Sequence, residues 1–175
     1  RILTQNKEDS VYDTLTYSIR EIIRNVIEHS KAKQFGFCAQ YWHSKNLVEF
    51  AIIDTGIGIS ESLKNNPNLH FSQDSEALNL ALIPGISRVY FNKKKQNEYD
   101  EWANSGFGLY MTSRLCRNGG KFFICSGNSG LYLTEKEKQY YNTNFKGTVI
   151  SICLKTNKLD SLSKTLSSYL KEGQK

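Results

Sequence analysis

The sequence predicts a two-layer α+β sandwich, a mixed and mostly antiparallel sheet with helices on one face. A long amphipathic stripe opens the chain, two β-rich segments separated by a hairpin-length turn follow, and short helical segments lead into a second group of strands. Helices and an antiparallel or mixed sheet in that order favour two packed layers. At 175 residues the chain suits one domain, 1–175, with a sizeable core.

From residue 9 to about 32, Leu15, Ile19, Ile22, Ile23, Val26 and Ile27 recur at intervals of three and four, the stripe of a helix lying on a sheet. Residues 35–42 and 47–54 are rich in aromatic and β-branched side chains. His43-Ser44-Lys45-Asn46 between them has hairpin length, so the two strands should be antiparallel neighbours. Ala51-Ile52-Ile53 is apolar at successive positions, which predicts that both faces are buried near the end of the second strand.

Residues 74–83 read as a short helix, with Asp74 or Ser75 as N-cap and Pro84-Gly85 as the stop. Between Pro84 and Ser105 charged residues are interleaved with Tyr90, Phe91, Tyr99 and Trp102, the mixture of a mobile lid with aromatic anchors. Residues 108–117 are helical in pattern and end at Asn118-Gly119-Gly120. Residues 121–126 and 147–154 are strand candidates, 130–133 a weaker third, and 134–146 a polar excursion between them. Leu159, Leu162, Leu166, Tyr169 and Leu170 predict a C-terminal amphipathic helix.

No apolar run approaches the roughly 20 residues that cross a bilayer, and the first residues are polar rather than a signal-peptide core. Four cysteines lie far apart with no C-x-x-C and read as reduced core residues, which makes a cytoplasmic protein the expectation. Three histidines are scattered without metal-ligand spacing. The net charge of +6 leaves a nucleic-acid or acidic-membrane partner open, although only Lys93-Lys94-Lys95 concentrates positive charge, as a solvated loop or a phosphate contact. The chain opens on Arg1, which leaves room for an upstream segment.

On the first helix Glu21, Asn25 and Glu28 share one face beside the apolar stripe. A carboxylate at Glu21 can orient or deprotonate a hydroxyl or water, and the Asn25 amide oxygen suits Mg²⁺. Taken alone, the same three residues also read as an exposed polar face. Asp54 stands at a strand end before Gly56 and Gly58, a fixed acceptor beside a backbone that a flat ring can approach; a plain turn is the alternative. Gly106 and Gly108 precede a helix whose free N–H groups and dipole make a phosphate cradle, or simply a tight turn. Neither G-x-S-x-G nor G-x-x-x-x-G-K-[ST] occurs.

Taken together these residues resemble the GHKL superfamily, the group containing DNA gyrase, heat-shock chaperones, histidine kinases and mismatch-repair ATPases. Residues 20–30 look like its N box, 54–59 like its G1 box, 104–110 like its G2 box, and Gly147-Thr148 like its closing G3 element. The resemblance implies the Bergerat fold, with residues 84–105 as ATP lid. It also implies ATP or ADP with Mg²⁺ as ligands: Asn25 on the metal, Asp54 on the adenine amine, Gly56 and Gly58 shaping the base pocket, and Thr148 supporting the water network of Asp54. Gly106, Phe107, Gly108 and Leu109 would place backbone N–H groups on the phosphates. Glu21 matches the general base of the ATP-hydrolysing members.

Two readings of function follow. In the first, the chain hydrolyses ATP or transfers its γ-phosphate to a protein. In the second, it is a non-hydrolysing switch or anti-sigma-like regulator that presents its lid to a protein partner; the catalytic fragment of a larger sensor kinase is a further option. His29, inside the N box, reads as a structural or pocket-edge residue rather than a phosphoacceptor. Partners expected are ATP and a protein partner or phosphoacceptor, with a homodimer open and no membrane span.

Overall fold

A computed structural model of the chain describes residues 9–86 and 108–159. Helix α1 (Asp9–His29) is followed by strands β1 (Phe35–Trp42) and β2 (Leu47–Asp54), helices α2 (Gly58–Leu63), α3 (Asp74–Ala81) and α4 (Gly108–Arg117), and strands β3 (Lys121–Leu133) and β4 (Lys138–Lys155). The strands form one open sheet in the order β1-β2-β4-β3. All three pairings are antiparallel, so the mixed sheet expected from sequence is antiparallel throughout among the described residues. Two of the pairs are closed by short turns, which antiparallel neighbours alone permit.

Strand register builds the core. Ile52, Ile150 and Ile124 lie side by side across β2, β4 and β3, and Phe50, Ile152 and Phe122 form the next row. Each of these six is at most 3% exposed. The helices cover this inner face, with Ile22 of α1, Leu78 of α3 and Met111 of α4 fully enclosed. Ile27, counted with the α1 stripe from sequence, is instead 67% exposed. At about 100° per residue it has turned off the arc that Ile22 and Val26 present to the sheet.

Burial of both faces at the end of β2 does not hold. Ile53 points away from Ile52 and is 42% exposed, because a strand alternates its side chains and, among the described residues, the helices lie on one face only. The polar excursion expected over 134–146 is also corrected. β3 and β4 form a long hairpin that closes at residues 134–137, where Thr134 N–H donates to the Glu137 carbonyl at 2.9 Å. The ribbon carries register shifts on either side of Gly127, and Thr143 Oγ1 donates to the Gly127 carbonyl at 3.0 Å. Its exposed polar residues resemble a loop in sequence because little apolar periodicity marks residues 138–146.

The N-cap of α3 is Gln73, not Asp74 or Ser75. Glu76 closes the helix start by accepting from the backbone N–H groups of Ser72 and Gln73 at 2.6 and 3.2 Å. That frees the Asp74 carboxylate to accept from Ser60 Oγ at 2.5 Å and from Asn128 N–H at 2.8 Å, tying α2, α3 and the β3 bulge together. Cys116, Cys125 and Cys153 are buried and all four thiols are free; Cys38 is exposed on β1, against the expectation that every cysteine is a core residue. No helix of the described residues is long and apolar enough to cross a membrane. Most of the expected lid, Gly106, Phe107, Lys93 to Lys95 and the C-terminal helix beyond Leu159 lie outside the described residues.

Candidate functional site

The rows that make the core apolar turn polar at one end of the sheet. There Asp54 stands opposite Thr148, and Thr148 opposite Ser126, in the same register that aligns Ile52, Ile150 and Ile124. A cavity with about 720 Å³ of empty space, its open mouth included, lies over this row. Asn25, Val26, His29 and Ser30 of α1 and the turn after it form one wall, and Gly58, Ile59, Ser62 and Leu63 of α2 with Asn65 and Asn66 form another. Asp54, Thr148 and Ile150 floor it, and Ala81, Ile86 and Leu109 close the remaining side.

Asp54 is 2% exposed, and its Oδ1 accepts the Gly56 N–H at 2.8 Å. Burial pushes its carboxyl above the ordinary value, opposed by the backbone N–H groups of Gly56 and Thr148. Gly56 does not line the cavity itself. It sits where a Cβ would run into the Ser30 carbonyl, and that close approach lets Ile57 N–H donate to the same carbonyl at 2.8 Å. The loop carrying Asp54 is thus pinned to the end of α1. Ser126 Oγ accepts Ile59 N–H at 2.9 Å and donates to the Gly147 carbonyl at 2.7 Å, fixing the start of α2 over the sheet.

Asn25 contributes a buried Nδ2 with no hydrogen-bond partner. A buried amide left unpaired is costly, and here the Asn25 side chain stands at the wall of the cavity. Its oxygen and nitrogen can exchange by rotation about the terminal torsion, so the same position can present a metal ligand. No group of three or more His, Cys, Asp or Glu that could hold a metal occurs among the described residues. A cation here would depend on Asn25 and on oxygens brought by a ligand, the habit of Mg²⁺.

Glu21 lies one helical turn before Asn25 and does not line the cavity. It is 4% exposed, receives a 2.7 Å hydrogen bond from Arg24 Nη2, and packs against Gly108 at the start of α4, where a Cβ would run into its carboxylate. Burial raises its carboxyl above the usual range, with Arg24 opposing. Glu28, expected on the same face, is exposed at 46% of its side chain. His29 lines the cavity as a pocket-edge residue, and burial lowers its imidazole below the ordinary value, with Glu28 opposing.

Of the residues singled out from sequence, Asn25, Asp54, Gly58, Leu109 and Thr148 surround one cavity, with Gly56, Glu21 and Gly108 directly behind its walls. Ser126, Ser62, Asn65 and Asn66 were not foreseen. Ser126 is recognisable only once the β3–β4 register puts it beside Thr148, whereas the polar pair Asn65-Asn66 after α2 is visible in the sequence as a loop.

No family model matches the chain, and no curated protein matches it. Among solved structures it is similar to one described as the N-terminal domain of a DNA repair protein, at 20% identity and a TM-score of 0.47. That match covers 94% of this chain and 45% of the other, so the chain spans less than half the length of that structure.

Proposed function

We propose that this chain is a Mg-ATP-binding domain of the histidine-kinase-like GHKL type, with the Bergerat arrangement, that hydrolyses ATP or transfers its γ-phosphate to a protein. The observation that carries the reading is convergence: Asn25 from α1, Asp54 from β2, Leu109 from α4 and Thr148 from β4 border a single cavity. Those four come from the separate segments on which the sequence resemblance rests.

In this reading Asp54, held through Gly56, accepts from the exocyclic amine of adenine. Adenine enters between Ile59, Leu63 and Ile150, where apolar side chains can cover a ring. The phosphates lie toward the start of α4, whose free N–H groups and dipole favour an anion. Asn25 would hold Mg²⁺, which when bound supplies charge neutralisation at the phosphates. Glu21 acts as general base, its carboxylate directed by Arg24.

A second reading has its own observation. Glu21 is engaged by Arg24 and stands behind the cavity wall rather than in it, which suits a nucleotide switch that does not hydrolyse. Calorimetry with Mg-ATP, followed by release of labelled phosphate from the natural chain and from Glu21→Gln, separates the cases. Binding with release that the variant abolishes supports hydrolysis, and binding without release supports the switch or a kinase that awaits its protein acceptor. No binding by the natural chain sinks both.

A further inference from the structure

Helix α1 has a second apolar flank. On one side its Glu21 meets Gly108 of α4, and α4 packs on β4 and β3. At about 100° per residue, Ile19, Ile23 and Ile27 come round to the opposite side. In the sheet order β1-β2-β4-β3, that side faces β1. Ile19 and Ile23 are only partly buried there, and Ile27 is 67% exposed.

The inner face of β1 forms the other wall. Phe35, Phe37 and Ala39 stand opposite Asp54, Ile52 and Phe50, so their side chains lie on the helix side of the sheet. All three are nevertheless exposed. Phe37 stacks on Phe50 at 6.2 Å between ring centroids, and much of the ring is left uncovered. Together α1 and β1 enclose an apolar groove that no described residue fills. A contiguous exposed apolar surface of this kind marks a place where something docks.

We propose that residues 160–170 of this same chain occupy the groove, as a helix lying along β1. The described chain ends at the mouth of the groove. Thr156 N–H donates to the Asn46 carbonyl at 2.8 Å, beside the β1–β2 turn, and the Lys158 carbonyl accepts from Asn118 Nδ2 at 2.8 Å. Leu159 then packs against the core, which directs the chain onto the helix side of the sheet. From there Leu162, Leu166, Tyr169 and Leu170 continue from Leu159 within one helical arc, and Ser161, Lys164, Thr165 and Ser168 fall on the opposite face, toward water. Eleven helical residues reach about 16 Å, enough to pass Ala39 and Phe37, which lie within about 13 Å of Tyr41 along β1. The other segments outside the described residues suit the groove less. Residues 1–8 carry only Ile2 and Leu3 as apolar side chains, and residues 87–107 leave and return beside the cavity, after Ile86 and before Leu109.

The test needs no nucleotide. A photoreactive benzoylphenylalanine placed at Phe37 of the whole chain, kept at low micromolar concentration, should on irradiation cross-link to residues 160–170, as mapped by peptide mass spectrometry. The same probe at Ile53, exposed on the other face of the sheet, should leave those residues unlabelled. Leu162→Asp combined with Leu166→Asp should abolish the cross-link from Phe37 and lower the melting temperature by several degrees. Should that variant fail to fold, the cross-link in the natural tail still decides. Cross-links from Phe37 to residues 1–8, to residues 87–107 or to a second copy overturn the proposal, and so does no cross-link at all. Equal labelling of the tail from both faces overturns it, as does a cross-link that survives the two aspartates.

Discussion

The Glu21 carboxylate lies against Gly108, so that the side chain on α1 and the first residue of α4 occupy space that a single added methyl group would make them contest. The contact places a carboxylate beside the positive end of a helix, and Arg24 adds a 2.7 Å hydrogen bond. Both favour the ionised form, yet burial outweighs Arg24 and the carboxyl is raised above its ordinary value.

The sign of that shift makes a prediction about Glu21→Gln. Because the folded state favours the protonated acid, the stabilising contribution of Glu21 is fully present below its unfolded value near 4.5 and is lost as pH rises through the raised folded value. At neutral pH the ionised carboxylate is a burden on the fold. Glu21→Gln should therefore melt at the same or a higher temperature than the natural chain at pH 7, and lose that advantage under acid conditions. ATP turnover should fall about a hundredfold or more in the same variant. A large drop in melting temperature at pH 7 would show that the carboxylate is structural, and would remove the reason to regard it as a functional group held at a cost.

Asp54→Asn tests the floor of the cavity. The asparagine oxygen can still accept the Gly56 N–H, so the loop pinned to α1 should survive and circular dichroism should be unchanged. What is lost is the anionic acceptor that, in the proposed reading, faces adenine. Hydrogen bonds to charged groups contribute about 1.5–3 kcal/mol, so ATP affinity measured by calorimetry should fall between about tenfold and a hundredfold. Equal affinity in the two chains would remove Asp54 from the site.

Much of this site could be read before any pairing was known, because its residues belong to short local patterns. The α1 stripe, the β1–β2 hairpin and the span of α4 depend on periodicity and turn chemistry within a few residues, and the structure places them where the sequence did. The failures are non-local. Whether Ile53 is covered depends on a second layer, which no window around residue 53 contains. The β3–β4 ribbon was missed because it is held by cross-strand hydrogen bonds with little apolar alternation, and Ser126 because its role exists only through its register with Thr148. The cap of α3 failed for a related reason: Asp74 is a good N-cap by type, but a tertiary demand from Ser60 and Asn128 takes its carboxylate elsewhere.

That tertiary role gives Asp74 a distinct pH signature. The Asn128 N–H, then the Ser60 hydroxyl, hold its carboxyl below the ordinary 3.8. With the folded value depressed, its stabilisation is present above the unfolded value and is lost as pH falls through the folded one. Asp74→Ala should cost about 1 kcal/mol in urea unfolding at pH 7, since it removes two hydrogen bonds whose partners water can reach. The difference from the natural chain should shrink as pH falls from 3.8 toward the depressed folded value, because protonation weakens the tie in the natural chain while Asp74→Ala has no carboxylate to titrate. A cost that stays constant down to pH 2 would mean that packing at Asp74, not its charge, joins α2 to the β3 bulge.

Gly108→Ala asks whether the contact with Glu21 is a real constraint. The added methyl group would meet the Glu21 carboxylate and its Cβ, and Glu21 cannot simply swing away while Arg24 holds it. Overpacking of this kind costs about 1–3 kcal/mol. In a Glu21→Ala background, which removes the carboxylate and leaves only the Cβ contact, Gly108→Ala should therefore cost clearly less in urea unfolding, and the double-mutant cycle should show a coupling of about 1 kcal/mol or more. Additive effects would mean that the start of α4 and the Glu21 carboxylate do not press on one another in solution, and the proposed base would lose the contact that fixes its position.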